Sequence, residues 1–185
     1  ISVLSLRLVL PIRGAWWAEI ELDATSSEAP AVYTLGKLVL PDRVWNGYVL
    51  RVREWQGRTR LFFEAGVTGM RPILSAQQFD SALLRTVAQQ VIIGAGEVIA
   101  PGSATPTDVL EYYHRARGSA GALLSALLDP VGLTWRFTDA GAVWWGAETW
   151  PASLAEDAIE LEPWGDTGET EVELLSPTVS PGQTF

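Results

Sequence analysis

The chain has 185 residues, 48% of them hydrophobic and 19% charged, with 22 acidic side chains against 13 basic ones and a net charge of −9. That composition excludes wholesale disorder. One Lys in the whole chain argues against specific nucleic-acid binding, because counterion release needs clustered cations. The absence of cysteine rules out disulfides, thiolate metal sites and cysteine nucleophiles, and no apolar run approaches the roughly 20 residues of a membrane span.

Residues 1–70 read as an all-β module. Residues 2–10 alternate weakly, and Pro11 to Gly14 marks a turn. Residues 15–23 then set Trp17, Glu19 and Glu21 on one face and Trp16, Ala18, Ile20 and Leu22 on the other. A polar loop over residues 23–31 leads to a third strand over 33–40, which Pro41 and Asp42 end. In residues 45–54, Tyr48, Leu50 and Val52 alternate with Val49, Arg51 and Arg53. Gln56-Gly57 turns the chain into a partner strand over 58–64. Short strands at this spacing predict a small barrel or sandwich.

The grammar changes after Arg71. Phe79, Leu83, Leu84, Val87 and Val91 fall at helical spacing and predict a helix over residues 79–93 that ends at Gly94. A loop rich in Gly, Pro, Ser and Thr covers 94–106. Leu110, Tyr112 and His114 alternate with Glu111, Tyr113 and Arg115, which fits a strand and leaves a helix open. Ser119 is placed to cap a helix whose Leu123, Leu124, Leu127 and Leu128 share one face, and Pro130 and Gly132 stop it. Residues 133–138 alternate as a strand, Asp139-Ala140-Gly141 turns, and residues 142–146 return as its partner. Beyond Trp150-Pro151 the chain becomes acidic, with short strands expected over 159–161 and 169–175. Its last ten residues carry two Pro and one Gly and end as if entering a strand, so the native protein is expected to continue. The expected fold class is α+β, mostly β: a barrel-like β-module over 1–70, an α+β module with helix and hairpin over 71–150, and the start of a further, incomplete β-module over 151–185.

Nine Trp include the adjacent pairs Trp16-Trp17 and Trp144-Trp145. Neighbours on a strand point to opposite faces, so one ring of each pair is expected in a core and the other outside it. An outward Trp is contact surface for a protein or a sugar. Arg51, Arg53, Arg58 and Arg60 lie on the two strands of one hairpin and are expected to make cross-strand or inter-subunit ion pairs, for example with the acidic C-terminal region.

Catalytic patterns are weak. Val91 to Gly96 imitates a dinucleotide loop, yet its third glycine position is Ile99 and a helix precedes it, so a helix C-terminus is the better reading. His114 is the only histidine and has no metal-ligand spacing around it. Ser119 reads as a cap, since no nucleophile elbow surrounds it. Carboxylate pairs of the glycosidase kind could be drawn from Glu19 with Glu21, Glu156 with Asp157, Glu160 with Glu162, or Glu169 with Glu171 and Glu173. A solvated outer strand face explains each of them. No catalytic, cofactor-binding or metal-binding residue is therefore expected.

The order of elements resembles the hub proteins of phage tails, a group with the late-control-protein-D and spike-base proteins of contractile injection systems. The matching residues are Tyr113, then Ser119, Leu123 and Leu127 in the capped helix, and Gly132, Leu133, Trp135, Asp139, Gly141, Val143 and Gly146 in the hairpin. The ending from Leu175 to Phe185 is similar to the entry of a following hub β-domain. The likeness covers residues 33–185, in a chain shorter than the larger members. It implies a virion structural protein of the tail hub or baseplate and no enzyme. Such a protein is a homo-oligomer, a trimer by the family pattern, that joins the tail tube to a spike or fibre. Trp16, Trp17, Trp144, Trp145 and the four arginines are the candidate interface residues. Two other readings remain: a carbohydrate-binding β-module using Trp16 or Trp17 and Trp144 or Trp145, and a carboxylate-type cell-wall hydrolase.

Overall fold

In the computed structural model, which describes residues 1–11, 13–41, 43–148, 158–164 and 169–174, five strands build the first layer. These are β1 (Ser2–Val9), β2 (Trp17–Asp23), β3 (Leu35–Val39), β4 (Val44–Trp55) and β5 (Arg58–Ala65). They form one antiparallel sheet in the order β1-β2-β5-β4-β3, curled into a half-barrel. The period-two pattern places Trp16, Ala18, Ile20 and Leu22 in the core, with Leu61, Phe63 and Ala65 beside them from β5. Gln56 and Gly57 both have positive φ, 52° and 75°. That is the mirror-image turn whose twist matches a two-residue hairpin loop.

The expected alternation of β4 needs one correction. Val49 pairs with Phe63 and Arg51 with Phe62, so Leu50 is an extra residue in a bulge. Val49 consequently sits in the core with Trp45 and does not share a face with Arg51.

The second layer comprises β6 (Ile73–Leu74), β7 (Gln77–Leu83), α1 (Leu84–Gly94), β8 (Val109–Arg115), β9 (Gly118–Ser119), α2 (Ala120–Leu128), β10 (Thr134–Phe137) and β11 (Val143–Gly146). The first third of the helix expected over 79–93 is thus strand, residues 79–83, and the rest is α1. Residues 77–83 pair antiparallel with β8, Phe79 lies opposite Tyr113, and their rings are 6.2 Å apart. Ser81, at φ 51°, cannot continue a right-handed helix. Pairing with β8 overrides a spacing that two apolar residues four apart can satisfy in either conformation. The same pairing settles residues 109–115 as a strand.

Helix α1 buries Leu84, Val87, Ala88, Val91 and Ile92 and ends at Gly94 as expected; Gly96, φ 81°, then turns the chain, and Glu97 N–H donates to the Ile92 carbonyl at 3.1 Å. In α2 the Ser119 hydroxyl accepts from Ala122 N–H at 3.4 Å, the expected cap, and all four leucines are buried. A 3-10 turn, Asp129–Val131, and Gly132 at φ 69° then redirect the chain into the hairpin.

The β10–β11 hairpin pairs Trp135 with Trp145, Arg136 with Trp144, and Phe137 with Val143. Its apolar face closes the hollow of the half-barrel. Trp16 meets Trp45 edge-on at 5.1 Å and donates its indole N–H to the Thr138 carbonyl at 3.1 Å. Gly14 donates to the Trp135 carbonyl at 2.9 Å and accepts from Phe137 at 3.0 Å. On the other side Trp135 donates to the Ser125 hydroxyl at 2.8 Å, tying the hairpin to α2. Sheet, hairpin and helices share one continuous core. Strands β12 (Ala158–Trp164) and β13 (Glu169–Leu174) pair with each other and are longer than the sequence pattern implied for β12. Residues 149–157, 165–168 and 175–185 lie outside the described residues.

Two substitutions test this packing. Leu124→Ala in the buried face of α2 is expected to cost about 2–5 kcal/mol in chemical denaturation. Gly47→Ala places a Cβ against the Glu64 carbonyl of β5 and 3.0 Å from the Phe63 ring. It is expected to cost about 3 kcal/mol by forcing β4 and β5 apart.

Candidate interaction surface

The convex face of the sheet follows from the same registers. Arg7, Glu19, Phe62 and Arg51 form one row across β1, β2, β5 and β4; Ser5, Glu21, Arg60 and Arg53 form the next. Arg58 and Trp55 close the hairpin end as a cross-strand pair. All four arginines singled out in the sequence therefore meet on one face, and Trp17 joins them, 5.9 Å beneath the Arg7 guanidinium.

Two of the four are paired within the chain. Arg58 bonds Glu21 at 2.9 Å and Arg60 bonds Glu19 at 3.1 Å. Arg58 beside Glu21 holds that carboxyl below the usual carboxylate range. Glu19 and Glu21 thus share a face, as alternation implied, and serve as counterions on an open surface. Arg51 stacks 4.1 Å over Phe62, while Arg60 lies 5.7 Å over Trp55. Arg51 and Arg53 have no acidic partner among the described residues. A shallow open cleft of about 320 Å³ lies between Arg53, Glu54, Trp55, Arg60 and Phe62. Trp55 is 62% exposed, which its place beside the hairpin turn could have signalled.

The other tryptophans separate as strand neighbours must. Trp16 is 1% and Trp145 2% exposed, so both belong to this chain's own core. Trp144 lies on the hairpin, away from the arginine face. Its ring is 4.2 Å beneath Arg136, and its N–H donates to the Gly102 carbonyl at 3.2 Å. Arg136 in turn bonds Glu148 at 2.7 Å.

Two buried carboxylates escaped the sequence reading. Glu64 accepts both Arg71 Nε and Nη2 at 2.7 Å and also the Tyr48 hydroxyl. Glu97 accepts Val67 N–H at 3.0 Å and both Thr68 N–H and Thr68 Oγ1 at 2.6 Å. Between them they fix the loop that leaves β5, where Gly66 and Gly69 have positive φ and neither has room for a Cβ. Each carboxylate accepts three hydrogen bonds from donors of this chain, which makes it a clip for the backbone. The available signal was the run Glu64-Ala65-Gly66-Val67-Thr68-Gly69-Met70-Arg71, with opposite charges at its ends.

No group of His, Asp and Glu among the described residues is arranged to hold a metal ion. His114 is exposed on β8, and Ser119 is engaged as the cap. No helix among the described residues is long and apolar enough to cross a membrane.

The Glu64 clip gives a pH prediction. Burial, with the Glu64 hydrogen bond adding to it, pushes the Tyr48 phenol well above its usual range. The unfolded chain releases this proton near the ordinary tyrosine pKa of about 10, whereas the folded chain retains it. Stability is thus undiminished below about pH 10 and falls as pH rises beyond it, and Tyr48→Phe should flatten that decline in urea titrations. Arg71→Ala, which strips Glu64 of its charged partner, is expected to cost about 1.5–3 kcal/mol at neutral pH.

No protein-family model matches the chain, and no curated protein does. Solved structures do. The 43 kDa tail protein of prophage MuSo2 from Shewanella oneidensis is 15% identical with a TM-score of 0.56, over 83% of this chain and 52% of that one. The Escherichia coli c3393 protein is 12% identical with a TM-score of 0.58, over 83% of this chain and 51% of its own. It is a component of the type VI secretion system with structural similarity to the T4 bacteriophage tail proteins gp27 and gp5. A tail protein from Neisseria meningitidis MC58 is 11% identical with a TM-score of 0.58, over 80% of this chain and 47% of that one. The chain spans about half the length of each. The chain therefore shares a fold with phage tail proteins and a type VI secretion component, the fold that the resemblance in the order of elements implied.

Proposed function

We propose that the chain is a virion structural protein of a phage tail, working at the hub or baseplate, where it joins the tail tube to a spike or fibre through subunit interfaces. The observation that carries this reading is the fold it shares with two tail proteins and a secretion component related to tail proteins. The sheet edges support it. Edge strands of self-contained proteins are usually guarded by charge, proline or a covering element. Each edge carries one exposed basic residue, Arg7 on β1 and Lys37 on β3, yet β1 also exposes Val3, Leu4 and Leu6, and β3 at the opposite edge exposes Leu35 and Val39. Such edges suit pairing with other subunits, with a trimer as the expected homo-oligomer, and the role needs no catalytic residue. The carbohydrate-binding reading has less support, because Trp16 and Trp145 are buried and Trp17 and Trp144 lie beneath arginines.

Gold-labelled antibody against the full chain, applied to particles released by the source cells, tests the placement. Gold is expected at the tail end that carries the spike or fibre. Gold along the tube or on the head, or no label on any particle, would count against the hub.

A further inference from the structure

The convex arginine face is out of character with the rest of the molecule. Residues 1–136 hold all 13 basic side chains and 12 of the 22 acidic ones; residues 137–185 hold the other 10 acidic side chains and no basic one. The first 136 residues are thus nearly neutral and the remainder of the chain carries the whole negative charge. Within the body, Arg53 stands directly opposite Arg60 across the β4–β5 ladder. Like charges so placed destabilise a strand pair. The clash is left standing: Arg60 is used by Glu19, and neither Arg51 nor Arg53 has an acidic partner among the described residues.

Arg51 and Arg53 are also placed to receive carboxylates from outside the chain. Arg51 is stacked on Phe62, a contact that holds its guanidinium plane while leaving its N–H edge free for bidentate pairing, and Arg60 lies over Trp55 with Nη1 bonded to Glu19. Exposed Trp55 adds apolar surface at the rim of the same cleft. Single surface ion pairs contribute little, so a useful ligand must bring several carboxylates at once. Residues 156–173 bring eight, with Glu169, Glu171 and Glu173 at a spacing of two. Arg51 and Arg53, like Arg58 and Arg60, repeat at that same spacing along their strands.

We propose that this arginine face docks the acidic stretch 156–173 of a second copy of the chain. A second copy is favoured over the chain's own segment by topology. The hairpin that leads to Glu148 fills the concave side of the sheet, held there by Gly14 and Trp16, on the side opposite the arginines. This contact rests on the reading of the protein as a self-assembling tail component and gives that assembly a polar, salt-sensitive interface distinct from the apolar sheet edges.

Sedimentation equilibrium of the full chain over a range of concentrations tests it. Self-association is expected at about 50 mM NaCl, weakening about tenfold in dissociation constant at about 500 mM. The double substitution Arg51→Glu with Arg53→Glu, at two exposed positions, should weaken it about tenfold at low salt with an unchanged circular dichroism spectrum. A triple variant, Glu169→Lys with Glu171→Lys and Glu173→Lys, should be weakened alone and should associate when mixed with the arginine double variant. Arg53→Gln gives a milder version of the same loss. An arginine variant that assembles like the parent overturns the docking while leaving the tail assignment untouched. A chain that stays monomeric at every concentration also overturns it, since the segment then has no second copy to bind. Failure of the gold label to reach the tail would remove the tail assignment without changing these masses.

Discussion

The fold depends on how the hollow of the half-barrel is filled. A five-stranded sheet that curls has an apolar concave face it cannot bury alone, and the β10–β11 hairpin supplies the missing layer. Trp16 is the centre of that contact, packed edge-on to Trp45, tilted against Phe63, and hydrogen-bonded to the hairpin turn through Thr138. Backbone bonds fix the register around it: Gly14 brackets Trp135 and Phe137, and Asn46 donates to Asp139 and Ala140. An indole buried this fully contributes packing worth about 3–5 kcal/mol on truncation. The hydrogen bonds make the contact specific, since they exist in only one alignment of hairpin and sheet.

The chain must also leave the sheet and build the helical layer within a few residues. It does so through the loop between β5 and β6, at the cost of two buried carboxylates. Glu64, 6% exposed, and Glu97, 5% exposed, would each be strongly unfavourable unless charge and lone pairs were matched. Arg71 and Tyr48 match the first; two amides and a hydroxyl of the loop match the second. Glu97 stands just beyond the C-terminus of α1, so its bonds to Val67 and Thr68 fasten that helix to the end of the sheet. Glycine at 66 and 69 lets the backbone come close enough for this, because a side chain would collide with the carboxylates themselves.

Much of this was legible in the sequence, and what was missed has common physical causes. Strands β2 and β5 were readable because each is buried on one face, which writes period two directly into the residues. The Ser119 cap and the Gln56-Gly57 turn were readable because they are chemistry local to a few residues. The strand at 77–83 was not, since its partner β8 lies some 30 residues away and propensity carries no long-range pairing. Glu64 and Glu97 were invisible for a related reason: a buried carboxylate looks like a surface one until its donors are placed around it. The tryptophan doublets fall between these cases. Alternation predicted that each would split between faces, and only the three-dimensional fold could assign Trp16 and Trp145 to the core.

The arginine face follows from the same packing requirement, by way of the bulge at Leu50. In an unbroken strand, residues 45, 47, 49, 51 and 53 would all point the same way. Trp45, Gly47 and Val49 face the hollow, where Gly47 lets β5 approach and the other two join the core. Without the bulge, Arg51 and Arg53 would be driven into that apolar interior, at a desolvation cost no single pairing there could offset. One extra residue shifts the parity, so Val52 takes up the inward row opposite Leu61 and the arginines emerge beside Phe62 and Arg60. A charge cluster that reads in the sequence as scattered along one hairpin is thereby gathered on one surface, with aromatic rings holding its guanidinium groups in place. Inward Trp45 and outward Arg51 and Arg53 share one strand because of a single irregularity in β4.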